Sequence, residues 1–181
     1  MSHAHRFAVL ILSLLGSSCL RAEPTEPVRE LVEEGRWRDI KQEIVEKFPG
    51  VTHLSTDQVL EVRQDQDPRP VVVDVRSEEE FRVSHLEGAR NAPIGGDLAV
   101  ALVDVPKSQP IVVYCSVGYR SADAAQQLAA AGFTDVRNYL GSIFEWANRG
   151  HPLVNTDGAA RLVHPFDSDW GRLLRPELRG K

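Results

Sequence analysis

Short apolar runs rich in β-branched residues alternate with amphipathic segments along the middle of the chain. The most continuous runs cover residues 71–75 and residues 111–114, and shorter runs cover 51–54 and 136–139. Apolar runs without alternation are typical of strands that are buried on both faces of a parallel sheet. Because helical segments separate these runs, we predict an α/β domain with a mostly parallel sheet.

Several of the predicted helices begin with recognisable capping residues. Ser55, Ser77 and Ser142 each stand three residues before a Gln or a Glu, which is the spacing of a capping box. A further helix is predicted over residues 122–131, which are rich in alanine, and Gly132 is suited to end it.

The segments that flank this domain also carry apolar residues. Residues 23–50 show apolar positions near helical spacing, which predicts an α-helical N-terminal extension with a break at Gly35. Residues 154–181 include Phe166 and Trp170, which would be exposed if the segment were free in solvent. We therefore predict an ordered C-terminal tail that packs on the domain.

Residues 1–22 have the order of an export signal, with an apolar core at residues 7–15 followed by small and polar residues. That core is too short to span a membrane as a stable helix. We predict a signal peptide, export (in a bacterium, to the periplasm) and no membrane span. Lipid anchoring through Cys19 ranks second, because Gly16 stands where such signals have an aliphatic residue. An ordinary N-terminal helix is the weakest of the three interpretations.

Composition narrows the classes of function. The chain has 21 basic and 26 acidic residues, a net charge of −5, and we predict no nucleic-acid binding because no basic stripe is present. The histidines lack metal-ligand spacing, and we expect neither a metal nor another cofactor. Removal of residues 1–22 would leave Cys115 as the sole cysteine. Such a cysteine in an exported protein is either paired with another molecule or free and reactive.

Cys115 stands where a predicted strand meets a predicted helix. Ligands of open α/β sheets bind beyond the carboxyl ends of the strands. The backbone N–H groups of residues 115–120 can turn inward at the sulfur, with Gly118 supplying a positive φ, and an anion site of this kind lowers a thiol pKa. Arg120 can hold a tetrahedral oxyanion through two parallel hydrogen bonds. Ser116, Val117 and Tyr119 would contribute their backbone N–H groups to such a site.

Simpler interpretations compete for some of these residues. Cys115 could be a small buried apolar residue, although its place before Gly118 and Arg120 favours a reactive thiol. Arg120 could serve only in a salt bridge near the helix. Asp74 and Arg76 end the neighbouring strand, and we favour a structural ion pair that supports the site over a catalytic role.

Cys115 and its loop resemble the active-site loop of the rhodanese (thiosulfate sulfurtransferase) family. Three other pieces resemble the family in the same order and spacing, and they cover residues 74–76, 79–81 and 85–93. The resemblance extends over residues 51–153, one rhodanese domain. It implies a rhodanese-like fold, a twisted, mostly parallel five-stranded sheet with helices on both faces.

The same resemblance implies a reaction. Cys115 would attack the outer sulfur of a donor such as thiosulfate, hold it as a persulfide and pass it to cyanide, a thiol or a partner protein. The amides of Ser116 to Ser121 would cradle the persulfide while Arg120 faces the anionic part of the donor. Dual-specificity phosphatases of this fold have a loop one residue longer, which disfavours a phosphatase or an arsenate reductase. A non-catalytic sulfur-carrier or protein-interaction module remains the main alternative.

Overall fold

The computed structural model describes residues 26–180, with side chains from residue 34 onward. The predicted signal peptide at residues 1–22 lies outside the described residues and stays a prediction. The strands are β1 (Thr52–Leu54), β2 (Val71–Asp74), β3 (Arg90–Asn91), β4 (Ile111–Tyr114), β5 (Val136–Tyr139), β6 (Leu153–Asn155) and β7 (Gly158–Ala160). The α-helices are α1 (Glu26–Lys47), α2 (Thr56–Asp65), α3 (Glu78–Val83), α4 (Leu98–Ala101), α5 (Tyr119–Ala130) and α6 (Ser142–Asn148).

A five-stranded sheet with the order β1-β5-β4-β2-β3 organises the domain, and all its strand pairs are parallel. Strand β4 lies at the centre, where Val112 pairs with Val72 on one side and with Arg137 on the other. All four residues of β4 are buried. A central strand covered on both faces explains why this segment is apolar without alternation.

Successive residues of β4 point to opposite faces of the sheet and pack in two separate cores. Val112 packs with Ile143 and Phe144 of α6 on one face, whereas Val113 packs with Leu128 of α5 on the other. The second core also contains Leu98 of α4. Helices therefore cover both faces, and the predicted α/β architecture is confirmed.

Two of the three predicted capping boxes are confirmed. The hydroxyls of Ser55 and Ser77 accept the N–H groups of Gln58 and Glu80, whose side chains accept the serine amides in return. The prediction at Ser142 was wrong. Helix α6 has Gly141 as its N-cap without a side-chain cap, because the Ser142 hydroxyl is engaged elsewhere.

The N-terminal extension is one continuous helix, and the predicted break at Gly35 was wrong. A single glycine inside a helix costs only about 1 kcal/mol relative to alanine, which packing elsewhere on the helix can offset. Ile44 and Phe48 provide that packing, because both are buried in a cluster with Ala122 of α5. Among the described residues, no helix is both long enough and apolar enough to cross a membrane.

The C-terminal tail begins within the β6–β7 hairpin and continues through two short 3₁₀ helices, Trp170–Leu173 and Pro176–Leu178. The tail contributes buried side chains to the core that contains α6. These side chains are Val163, Leu173, Leu174 and Leu178. Its apolar residues therefore anchor the tail along the domain surface.

A buried ion pair joins the end of β2 to the segment that follows it. Arg76 Nη2 lies 2.6 Å from Asp74 Oδ2, and neither side chain is exposed to solvent. The same nitrogen donates to the carbonyl of Ser84 at 2.7 Å, and the Asn91 side chain donates to the carbonyls of both charged residues. Burial lowers the pKa of Arg76, but the charge and hydrogen bonds of Asp74 outweigh it and raise the pKa.

The first prediction concerns this pair. Arg76→Met keeps an apolar stem but leaves the Asp74 carboxylate buried without its counter-ion. We expect the free energy of unfolding, measured by urea denaturation, to fall by about 3–5 kcal/mol.

Arg90→Met is the matched control, because Arg90 pairs with Asp104 at 2.8 Å on the surface. Exposed pairs contribute little to stability, so we expect only a small fraction of the Arg76→Met loss. Equal losses in the two variants would contradict the importance assigned to the buried pair.

Candidate active site

Cys115 directly follows β4 and lies at the carboxyl edge of the sheet, with 1% of its surface exposed. A cavity of about 200 Å³ opens above its loop. The lining residues are Cys115, Ser116, Val117, Tyr119, Arg120, Phe166 and Trp170. The structure therefore brings most of the predicted loop residues to one pocket, together with two residues of the tail.

The loop between β4 and α5 is oriented by hydrogen bonds to its carbonyl groups. Each carbonyl of residues 115–118 accepts one bond from the segment 138–144. The donors, in that order, are the amides of Ile143, Phe144 and Gly141 and the side chain of Asn138, at 2.9 to 3.3 Å. Because these carbonyls point outward, the intervening N–H groups can point toward the sulfur.

Ser142 contributes to the same arrangement. Its hydroxyl donates to the Tyr139 carbonyl at 2.8 Å and accepts the Cys115 amide at 3.1 Å, and its backbone holds a φ of +51°. A non-glycine residue in this region of φ is uncommon and often marks a functional site. The sequence pattern identified Ser142 only as a helix cap, since its partner lies 27 residues away.

Two donors and one charge surround the thiol of Cys115. The Gly118 amide donates to Sγ at 3.2 Å and the Ser121 hydroxyl donates to it at 3.5 Å. Burial raises the pKa of the thiol, but the Arg120 charge and these hydrogen bonds outweigh burial, and the pKa is lowered. The site therefore favours the thiolate, which is the nucleophilic form.

Gly118 satisfies two requirements of this turn. Its φ is +118°, and a Cβ there would lie 3.3 Å from the Cα of Leu140. The positive φ disfavours any side chain, and the close backbone of Leu140 leaves little space for one. The predicted role of glycine at this position is therefore consistent with the geometry of the loop.

Arg120 does not face an empty anion site. Its Nη1 and Nη2 donate to the two carboxylate oxygens of Glu80 at 2.9 and 2.8 Å, and Nη2 also donates to the Ser116 hydroxyl at 2.9 Å. Burial raises the pKa of Glu80, but the hydrogen bonds and charge of Arg120 lower it overall. The simpler interpretation of Arg120, a salt bridge near the helix, thus describes its contacts in this structure.

Sequence reasoning missed Glu80 as a residue of the site. The spacing from Ser77 identified it correctly as the partner in a capping box. That local pattern carries no signal of the second partner, Arg120, which lies 40 residues further along the chain. The short helix α3 thereby places one carboxylate where it serves both a helix start and the active-site loop.

The flanking segments also reach the loop. Tyr119 packs edge-on against Phe48 at 5.6 Å between ring centres, and Lys47 hydrogen-bonds to its hydroxyl. From the tail, the Phe166 ring lies 4.6 Å from the central carbon of the Arg120 guanidinium. The sequence predicted a packed tail but no signal in it showed that its aromatic residues would reach Cys115.

Other candidate residues lie outside the pocket. Asp74 and Arg76 form the buried pair described above and do not line the cavity. Among the residues that the structure describes, no group of three His, Cys, Asp or Glu side chains is arranged to hold a metal ion.

The model of the Rhodanese-like domain family matches residues 55–149. The chain belongs to the rhodanese-like domain family. A protein from Allochromatium vinosum named "Sulfurtransferase" is 31% identical over 88 residues, which are 49% of this chain and 81% of that relative. The family membership predicted from the Cys115 loop is therefore confirmed.

A longer relative and a solved structure agree with this membership. The chain is 28% identical over 137 residues to "Probable adenylyltransferase/sulfurtransferase MoeZ" of Mycobacterium tuberculosis, which is 74% of this chain but only 34% of that relative. The crystal structure of a rhodanese-like domain protein from Staphylococcus aureus has a TM-score of 0.51 and 25% identity, covering 59% of this chain and 99% of the other. The predicted rhodanese-like fold is confirmed.

The second prediction concerns the pKa of the Cys115 thiol. We expect the pH dependence of its alkylation to show a pKa below the value of about 8.5 for a free thiol. Arg120→Gln should raise this pKa, because it removes the neighbouring positive charge. Glu80→Gln keeps the shape of the capping residue and should lower the pKa further, because the Arg120 charge is then unbalanced.

All variants carry Cys19→Ser so that only Cys115 reacts. Arg82→Gln is the control, since Arg82 lies on the same helix as Glu80 but is exposed and pairs with Glu78. We expect Arg82→Gln to leave the thiol pKa unchanged. If the thiol pKa is unchanged in both Arg120→Gln and Glu80→Gln, this charge pair does not control the ionisation of Cys115.

Proposed function

We propose that this protein is a sulfurtransferase that moves sulfane sulfur from a donor such as thiosulfate to a thiophilic acceptor through a persulfide on Cys115. The observation that carries the proposal is the buried Cys115 sulfur, which accepts hydrogen bonds from Gly118 and Ser121 beside Arg120. Relatives named as sulfurtransferases support the same chemistry.

In the first step the Cys115 thiolate attacks the outer sulfur of thiosulfate. A new S–S bond forms on the protein, the S–S bond of the donor breaks, and sulfite leaves with the electron pair. No general base is required, because the loop already favours the thiolate. The protein then carries one additional sulfur atom.

The terminal sulfur of the persulfide carries the negative charge after this step. The loop is suited to hold it, because the carbonyls of residues 115–118 bond to the segment 138–144, the Gly118 amide donates to Cys115 Sγ, and α5 begins directly after this glycine. Burial of this charge would be costly without such donors. The loop is therefore expected to stabilise the intermediate more than the free thiol.

In the second step a nucleophilic acceptor attacks the outer sulfur and restores the Cys115 thiolate. Cys115 is the only cysteine among the described residues, and Cys19 lies within the predicted signal peptide. We therefore propose that the acceptor is external. Cyanide would give thiocyanate, a small thiol would give its own persulfide, and a partner protein could accept the sulfur in the same way.

The third prediction tests the reaction directly. We expect the full chain to form thiocyanate from thiosulfate and cyanide, and intact-mass spectrometry after thiosulfate alone to show one added sulfur on the protein. Cys115→Ser should abolish both signals, because the nucleophile is removed. Cys19→Ser is the matched control and should retain both.

Each result has a defined meaning. Activity that persists in Cys115→Ser would contradict the proposed nucleophile. An added sulfur without thiocyanate would favour the alternative of a sulfur carrier that releases its cargo only to a protein. No added sulfur from thiosulfate or from a more reactive thiosulfonate would contradict the proposed function.

A further inference from the structure

Two aromatic side chains that line the Cys115 cavity lie outside the part of the chain that matches the family model. The match ends at residue 149, whereas Phe166 and Trp170 belong to the C-terminal tail. The Cys115 loop lies inside the matched domain and supplies the sulfur chemistry of the proposed function. The reaction itself therefore does not require the aromatic wall formed by Phe166 and Trp170.

The wall is held in place by several contacts within the tail. The Asp167 carboxylate accepts the amides of Asp169 and Trp170 at 2.9 and 2.8 Å, and the Phe166 amide donates to His164 Nδ1 at 3.1 Å. Gly171 packs so closely on Pro165 that a Cβ there would lie 2.8 Å from the proline side chain. The aromatic residues are thus carried by an ordered turn.

The same turn is attached to the rest of the protein from two directions. Arg36 of α1 donates to the carbonyl of Asp169 at 3.1 Å. The Asn148 side chain donates to the carbonyl of Leu173 at 2.6 Å and accepts the amide of Arg175 at 3.0 Å. Backbone bonds between Val163 and residues 178 and 180 hold the chain before Phe166, so the fold determines where both rings lie at the pocket.

Phe166 holds an unfavourable position for an apolar side chain. It has a φ of +67° and 47% of its surface is exposed, although its ring lies against Arg120. An L-residue rarely adopts this backbone conformation unless its surroundings enforce it, and such residues cluster at ligand sites. Burial and backbone preference do not account for this ring, which lies against the Arg120 guanidinium and leaves an exposed apolar face beside the pocket.

Charge and size distinguish between classes of ligand. Glu80 engages both terminal nitrogens of Arg120, so the carboxylate offsets the positive charge that a small dianion would require. The cavity of about 200 Å³ is walled mainly by apolar groups of Val117, Tyr119 and Trp170. An apolar cavity of about 150 Å³ is large enough to bind benzene, so this pocket has room for an organic group of that size.

We propose that Phe166 and Trp170 form an apolar subsite that selects sulfane-sulfur donors carrying an organic group, such as an aromatic ring, over purely inorganic donors. This inference rests on the proposed sulfur transfer through Cys115. The organic group lies against the two rings, and the sulfane sulfur points to the thiolate. The two residues therefore determine specificity and take no part in bond making.

An organic thiosulfonate, R–SO₂–S⁻, illustrates the step. The Cys115 thiolate attacks the outer sulfur, a new S–S bond forms on the protein, and the S–S bond of the donor breaks. The sulfinate R–SO₂⁻ leaves with the electron pair, so the protein persulfide is the one that thiosulfate would give. Donors with different R groups thus differ at the subsite while the bonds formed and broken are the same.

The fourth prediction compares benzenethiosulfonate with methanethiosulfonate, with cyanide as the acceptor and thiocyanate as the product. The measured quantity is the ratio of the two kcat/KM values. We expect this ratio to fall by about ten-fold in the chain that combines Phe166→Ala and Trp170→Ala, because the ring loses its apolar contacts. Val103→Ala, which shortens an exposed apolar side chain outside the cavity lining, should leave the ratio unchanged.

Trp170→Phe is a second variant that distinguishes loss of the subsite from a tail that no longer packs in the double variant. It keeps an aromatic ring at the wall, so we expect most of the preference to remain. A ratio that is the same in the wild-type chain, the double variant and Trp170→Phe would overturn the subsite, and thiocyanate production in all three would leave the proposed function standing.

A binding measurement separates the subsite from turnover. In Cys115→Ser, calorimetry should show benzenesulfonate binding at least about ten-fold more tightly than methanesulfonate, with the difference lost on Phe166→Ala. Equal affinities would overturn the subsite. If neither thiosulfonate nor thiosulfate adds a sulfur to Cys115, the proposed function fails, and the calorimetric comparison still decides whether the aromatic wall binds an organic group.

Discussion

The site depends on the hydrogen bonds that four carbonyl groups of the loop after β4 accept from a neighbouring segment. Donors from the segment 138–144 hold the carbonyls of residues 115–118 away from the sulfur. A peptide plane that turns its C=O out turns its N–H in, so the fold itself directs positive dipoles at Cys115. The Gly118 amide, which this arrangement turns toward the sulfur, adds to the Arg120 charge and the Ser121 hydroxyl in lowering the thiol pKa. The positive φ of Gly118 allows the chain to form this turn.

Charge around the sulfur is balanced across two elements that are distant in sequence. Arg120 is the second residue of α5, Glu80 lies in α3, and their two hydrogen bonds bring a buried carboxylate beside the thiol loop. Burial of Glu80 is tolerated because Arg120 and the capped start of α3 both satisfy its oxygens. The positive charge beside the thiol is therefore partly balanced by a carboxylate from another element.

Local patterns explain what the sequence could predict and where it failed. Strands β1, β2, β4 and β5, the capping boxes at Ser55 and Ser77, and the position of Cys115 all follow from residues close together in the chain. The β6–β7 hairpin was not predicted. The roles of Ser142, Glu80 and Phe166 depend on partners 27 to 46 residues away, brought near only by the packing of sheet and helices. The predicted break at Gly35 was wrong because the glycine lowers helix stability only slightly, and tertiary packing of the helix outweighs that local preference.

The contact between Arg36 and the carbonyl of Asp169 joins the N-terminal extension to the tail beside the pocket. Both segments lie outside the residues that match the family model, yet they brace each other. The wall of the Cys115 pocket is therefore built partly from segments outside the matched domain, whereas the thiol loop belongs to the domain itself. A change in α1 at Arg36 would thus remove one support of the turn that carries Phe166 and Trp170.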